Sequence, residues 1–165
     1  MELVDSWRTQ ERRRVSDSDT LVMIMKPVSI ADPKKLDVIL KQVHDCWFDV
    51  ENIRFDSKTK LLTIKFLKEN LDDARVLSDW WLIRKISIPA FECILQISHV
   101  NKYRIEDTEK VGEYDLNTIN YDLTSKQFLI ECGIPLKIFI DVDDFEVSFE
   151  PTKTVVNWRS TCSIF

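Results

Sequence analysis

Between residues 33 and 47, Leu36, Ile39, Leu40, Val43 and Trp47 recur at three- and four-residue spacing, while Lys34, Lys35, Asp37 and Lys41 fall elsewhere. That period belongs to a helix with one buried face. Asp32 suits the N-cap, and Pro33 suits the first helical position, where a missing N–H costs nothing. The pattern predicts one amphipathic helix at about 33–47.

Beyond it the period drops to two. Ile53 and Phe55 alternate with polar residues, residues 56–60 are all polar, and Leu62, Ile64 and Phe66 alternate again, which is the signature of a hairpin. Strand-like runs follow at 81–88, 91–100, 116–121, 127–132, 135–142 and 145–150, with Pro89 read as a turn. Residues 69–79 are polar and compatible with a short helix, and 101–113 read as a connection. Upstream, Leu21 to Met25 is an apolar run that reads as a first buried strand, stopped by Pro27. Residues 1–19 have no sustained period and carry Glu11-Arg12-Arg13-Arg14 and then Ser16 to Asp19, so they read as a flexible, solvated arm. The expected fold class is α+β: a mainly antiparallel β-sheet packed by one amphipathic helix, in a single globular domain over 20–165.

One register follows from the alternation. If Asp143-Asp144 is a two-residue turn, Val142 faces Phe145, Ile140 faces Val147 and Ile138 faces Phe149, so six apolar residues share one side. Lys137 then faces Glu150, and Asp141 faces Glu146.

A second regularity is internal. Sliding the chain by 66 positions aligns 48–64 with 114–130 without a gap. Phe48, Asp49, Ile53, Phe55, Asp56, Lys60, Leu62 and Ile64 meet Tyr114, Asp115, Ile119, Tyr121, Asp122, Lys126, Phe128 and Ile130. Two readings fit: a duplicated hairpin unit, each Asp opening its turn by bonding its own backbone, or two unrelated amphipathic hairpins that look alike. Duplication predicts two related half-sheets, hence a curved sheet or sandwich, and predicts no chemistry.

Composition narrows the function classes. A chain of 165 residues is the size of one domain and buries enough surface to fold without staples. Its net charge of −5 argues against a general nucleic-acid binder, which needs a basic face to displace counterions from phosphates. There are two glycines, Gly112 and Gly133, so neither dinucleotide nor P-loop phosphate cradles can be written, nor the G-x-S-x-G nucleophile turn. No nucleotide or other cofactor is therefore expected. The first five residues carry acids where a secretory leader carries lysines, and the longest early apolar run is five residues. The four cysteines are scattered and form no C-x-x-C pair. Reduced thiols in a cytoplasmic setting, without a membrane partner, are the expectation.

Three groups of residues are candidates for chemistry. His44-Asp45-Cys46-Trp47-Phe48-Asp49 brings together metal-ligating types, with His44 and Asp49 the candidate ligands and Cys46 or His99 as further donors. Against a shared ion, residues two apart on a helix diverge, and a histidine in a last turn is explained by the helix C-terminus. The cysteines and two histidines also admit a Cys–His nucleophile, although cysteines in apolar strands behave as small hydrophobes. Asp141 and Glu146, opposed in the register above, are the candidate acid–base pair: a retaining glycosidase holds two carboxyls about 5 Å apart. The alternative is an acidic edge that discourages sheet-to-sheet association. Trp80-Trp81 point to opposite sides of a strand, and read either as anchors of a protein interface or as parts of a two-sided core. Three functions fit: a non-catalytic protein-interaction or regulatory module, an acid/base hydrolase using Asp141 and Glu146, and a binder of a small apolar ligand.

Overall fold

The computed structural model describes residues 25–70, 74–80, 83–133 and 135–164. The arm at 1–19, the head of the apolar run at 21–24, and Trp81 lie outside the described residues.

The described residues are mostly antiparallel β, with one short helix. A strand β1 (Val28–Ile30) leads to a 3-10 turn (Pro33–Lys35) and to helix α1 (Leu36–Val43). The Asp32 carboxylate accepts from the Lys34 N–H at 3.1 Å, the cap its sequence position implies. The helix ends earlier than its period suggests. His44 leaves helical geometry at ψ 136°, and Asp45 adopts φ 61°. The backbone then turns outward to pair, Asp45 N donating to Leu116 O at 2.9 Å and Leu116 N to Cys46 O at 2.9 Å. Trp47, the last residue of the helical period, therefore opens strand β2 (Trp47–Asp49) instead. Leu36, Ile39 and Val43 remain the buried face of α1.

The remaining strands are β3 (Ile53–Asp56), β4 (Leu61–Glu69), β5 (Arg75–Trp80), β6 (Ile83–Ile97), β7 (Val100–Asp107), β8 (Glu113–Asp122), β9 (Gln127–Cys132), β10 (Leu136–Val142) and β11 (Val147–Ile164). Three local expectations are corrected. Residues 75–80 form a strand rather than a helix, and 100–107 a strand rather than a connection. Pro89 lies inside one long strand, β6, where its missing N–H falls opposite Asn157 at an irregularity of the β11 register.

The strands order as β1-β11-β6-β4-β2-β8-β9-β10-β7, with β3 beside β4 and β5 beside β6. Two halves meet at the β2–β8 seam, and they carry the same register. In the first, Ile53 pairs with Ile64 and Phe55 with Leu62; in the second, Ile119 pairs with Ile130 and Tyr121 with Phe128. Each position is displaced by the 66 residues of the repeat. Asp56 and Asp122 accept from the N–H two residues on, at 2.9 and 2.8 Å. Lys60 and Lys126 close the turns at φ 52° and 51°. At the seam Phe48 pairs with Tyr114, its own counterpart in the repeat. Equivalent residues pairing antiparallel is what an approximate two-fold axis produces.

Third strands extend the likeness, and the next strands break it by changing places. Ile97 and Leu95 of β6 lie opposite Leu62 and Ile64, as Ile140 and Ile138 of β10 lie opposite Phe128 and Ile130. After β6, however, the chain enters the other half as β7 and pairs with β10; after β10 it returns as β11 and pairs with β6. The expected hairpin between 135–142 and 145–150 therefore does not form. Asp143-Asp144 is a crossing, Lys137 faces Glu131 and Glu106, and Asp141 faces Gln127 and Lys102. Ile138, Ile140, Val142, Phe145, Val147 and Phe149 are buried all the same. Alternation specifies a strand's inner face but not its neighbour, so it was compatible with both pairings.

The crossing is clasped at Asp143. Its carboxylate accepts from Asn101 Nδ2 at 2.6 Å and from Lys60 Nζ at 2.8 Å, while its carbonyl accepts from Lys126 Nζ at 2.9 Å. The two turn lysines of the repeat thus converge on one residue. One contiguous core joins both halves and α1, with Phe66, Phe91, Phe128 and Phe149 among its fully enclosed side chains. Alternate residues of both half-sheets enter that single core.

Candidate functional site

The sequence candidates are placed apart. Asp141 lies on the outer face of β10, in a shallow hollow of about 260 Å³ lined by Lys102, Tyr103, Arg104, Gln127 and Phe139. Gln127 Nε2 donates to it at 2.6 Å and Lys102 Nζ lies at 3.2 Å. The Gln127 hydrogen bond, helped by Lys102, holds the Asp141 carboxyl below the usual carboxylate range. It is ionised at neutral pH and has no proton to give, whereas an acid catalyst needs the opposite shift. Beside it the Arg104 guanidinium covers the Phe139 ring at 4.5 Å. Glu146 is in the crossing, 3.1 Å from His99 Nε2, and its carbonyl accepts from Ser98 N at 3.0 Å. Each carboxylate is committed to a separate set of partners, and the cross-strand opposition that brought them together is replaced by those partners.

His44 and Asp49 are likewise occupied separately. His44 Nδ1 sits 2.9 Å from the neighbouring Asp45 carboxylate, and Asp49 Oδ1 caps the 3-10 turn Val50–Asn52 through the Glu51 N–H at 2.8 Å. Among the described residues no three His, Cys, Asp or Glu side chains gather as a metal would require.

Cys46 and Cys93 are fully buried in the core. Burial pushes the thiols of Cys46, Cys93 and Cys132 up to about 12, 11 and 12. A nucleophilic cysteine requires a depressed value. A thiol reagent at pH 8 should leave Cys46 and Cys93 unmodified until the protein unfolds, as read by peptide mass mapping. Rapid native labelling of either would show that the core opens around it.

The surface feature that sequence reading missed is an arm. β6 and β11 run 15 and 18 residues, and along β6 their pairing continues from the buried Phe91 and Ala90 out to Ile83, opposite Ile164. β5 lies along β6 and completes three strands. Along β6 enclosure begins at Pro89, while Arg84 to Ile88 are partly or fully exposed. Val76, Leu77 and Val155 are 49%, 56% and 45% exposed. Trp80 is placed opposite Ile83, which is itself opposite Ile164, so one row across the tip holds three large apolar residues. A signal was present in Val76-Leu77, an apolar pair set within the polar run 69–79.

No family model, curated protein or solved structure matches the chain.

Proposed function

We propose that the chain is a non-catalytic protein-interaction module, and that its docking element is the three-stranded arm β5–β6–β11. The observation that carries this is the exposed apolar pair Val76 and Leu77 on the three-stranded extension, with exposed Val155 at its root opposite Phe91. Apolar side chains left in water on an element that extends past the core are what a partner's surface would cover. A few residues, tryptophan prominent among them, contribute most of an interface's affinity. Trp80, in the tip row, is the residue type such an anchor favours. A net charge of −5 favours a protein partner over a nucleic acid. Free thiols at Cys46, Cys93 and Cys132 accord with a cytoplasmic setting.

The test is comparative capture from native lysate. Leu77→Asp places a charge in the exposed apolar set; Leu123→Asp, in the β8–β9 turn where Leu123 is 70% exposed, is the control. A partner retained by the parent and the control should fall at least about tenfold with Leu77→Asp, roughly 1.4 kcal/mol of binding. An identical set of captured proteins from all three would remove the arm from the interface.

A further inference from the structure

Val147 and Phe149 of β11 lie opposite Ile97 and Leu95 of β6, and Tyr103 and Ile105 of β7 lie opposite Ile140 and Ile138 of β10. Since Ile97 and Leu95 correspond to Ile140 and Ile138, β7 is the counterpart of β11 under the approximate two-fold axis. The likeness stops at the next strand. β11 carries β1 on its other edge, with Val147 facing Ile30 and Phe149 facing Val28. Among the described residues β7 carries no strand there and ends the sheet. Burial differs accordingly: Val147 and Phe149 are 0% and 1% exposed, whereas Tyr103 is 37% exposed and Asn101, Lys102, Arg104 and Glu106 are exposed beside it. That β1 fits beside β11 shows that this edge of a half-sheet admits a further strand.

An open strand edge pairs with other chains unless its side chains prevent it. On β7 they prevent most self-pairings and leave one. When two copies of a strand meet antiparallel about a two-fold axis, each residue faces the one equally far beyond the axis in the other copy. Centred on Lys102, Arg104 or Glu106, the pairing sets that charge against itself, and centred on Tyr103 it sets Lys102 against Arg104. Like charges directly opposite are destabilising. Centred on Ile105, it sets Arg104 against Glu106 twice, Lys102 against Thr108 and Tyr103 against Asp107, and no like charges are opposed. Arg104 and Glu106 lie 3.2 Å apart within one chain, with side chains 65% and 50% exposed, so both are within reach of a second copy. On the inner face, Ile138 and Ile105 then continue into Ile105 and Ile138 of the second copy, an apolar row unbroken across the axis.

We propose that the outer edge of β7 is a homodimer interface, at which β7 of a second copy pairs antiparallel with Ile105 on the two-fold axis. The half-sheet β8–β9–β10–β7 then runs on into its counterpart in the second copy, with an Arg104–Glu106 pair on either side of the axis. The interface is independent of the arm, because β5, β6 and β11 take no part in the pairing.

Sedimentation equilibrium of the full chain at low salt, over a range of concentrations, is the test, and the parent should pass from monomer to dimer as concentration rises. Arg104→Glu and Glu106→Arg each oppose like charges across the axis, and each should raise the dimer dissociation constant at least about tenfold. Arg104→Glu/Glu106→Arg exchanges the signs, re-forms both pairs, and should return the constant to within about threefold of the parent's. That rescue places the defect of the single variants at the interface and not in folding. Hydrogen exchange gives a second readout: amides of residues 101–107 should slow with concentration in the parent and the double variant, but not in either single variant. A monomer at every concentration up to about 0.5 mM overturns the proposal. A double variant that stays monomeric while the parent dimerises also overturns it. So does a dimer that survives a single reversal, and its loss with Leu77→Asp then assigns association to the arm.

Discussion

Phe48→Ala is expected to destabilise the protein by about 3–5 kcal/mol, the range for truncating a fully enclosed phenylalanine. Phe48 is 2% exposed, and its ring meets Phe66 edge-on at 5.1 Å and Tyr114 at 6.3 Å. It sits at the seam where β2 joins β4 on one side and β8 on the other. Its removal leaves a cavity flanked by both half-sheets, and neither can close it without disturbing its pairing with the other. A domain's whole stability is about 5–15 kcal/mol, so the variant should be close to unfolding at ambient temperature. Urea titration is the measurement: the midpoint should fall sharply with the slope unchanged. Leu123→Ala at an exposed turn should move it within about 0.5 kcal/mol. A loss under about 1 kcal/mol at Phe48 would mean that the seam collapses freely and that the halves do not depend on it.

What was legible in the sequence is what local physics determines. The β3–β4 and β8–β9 hairpins carry their own instructions: an Asp that bonds the backbone two residues on, a lysine in the left-handed region, and alternation that fixes the inner face. Their common register is the structural counterpart of the 66-residue self-similarity. Non-local choices were not legible. Nothing in the alternation of Ile138, Ile140 and Val142 states whether their neighbour is β11 or β7. The preference for β7 rests on contacts between distant segments, such as Asp143 with Asn101 and Lys60. The helix was overextended because Trp47 satisfies a helical period and a strand equally well, and pairing with β8 decides between them.

The sites divide on the same line. Asp141 and Glu146 were brought together only by an assumed turn, and they separated with it. The arm was obscured because Pro89 reads locally as a break, although the strand runs through it, its N–H unused at an irregular point of the ladder. Strand length past the core emerges only from pairing, so apart from the apolar pair Val76-Leu77 the arm had no local mark.

The second large effect is acid sensitivity. Among the described residues four carboxylates are held below their ordinary range: Asp56 mainly by the Lys58 N–H, Asp122 by the Ser125 hydroxyl, Asp141 by Gln127 and Asp143 by Asn101. Each folded value lies below its unfolded one, so the fold binds the ionised form more tightly. That contribution is complete above the unfolded value of about 3.9 and is lost as pH falls through the folded values. In this window the unfolded chain takes up more protons, so stability rises with pH. Thermal midpoints should be flat with respect to these groups from about pH 7 to 5, then fall below about pH 4. The leading partners are neutral donors, so about 0.5 M salt should leave most of the drop in place, weakening chiefly the lysine contributions at Asp141 and Asp143. Asp56→Asn and Asp122→Asn occupy the same turn position in the two copies and should each flatten the acid limb by a similar amount. Midpoints unchanged between about pH 5 and 3 would mean that these hydrogen bonds are not maintained in solution. A response at one turn alone would mean that the two hairpins share a register but not a dependence on their aspartates.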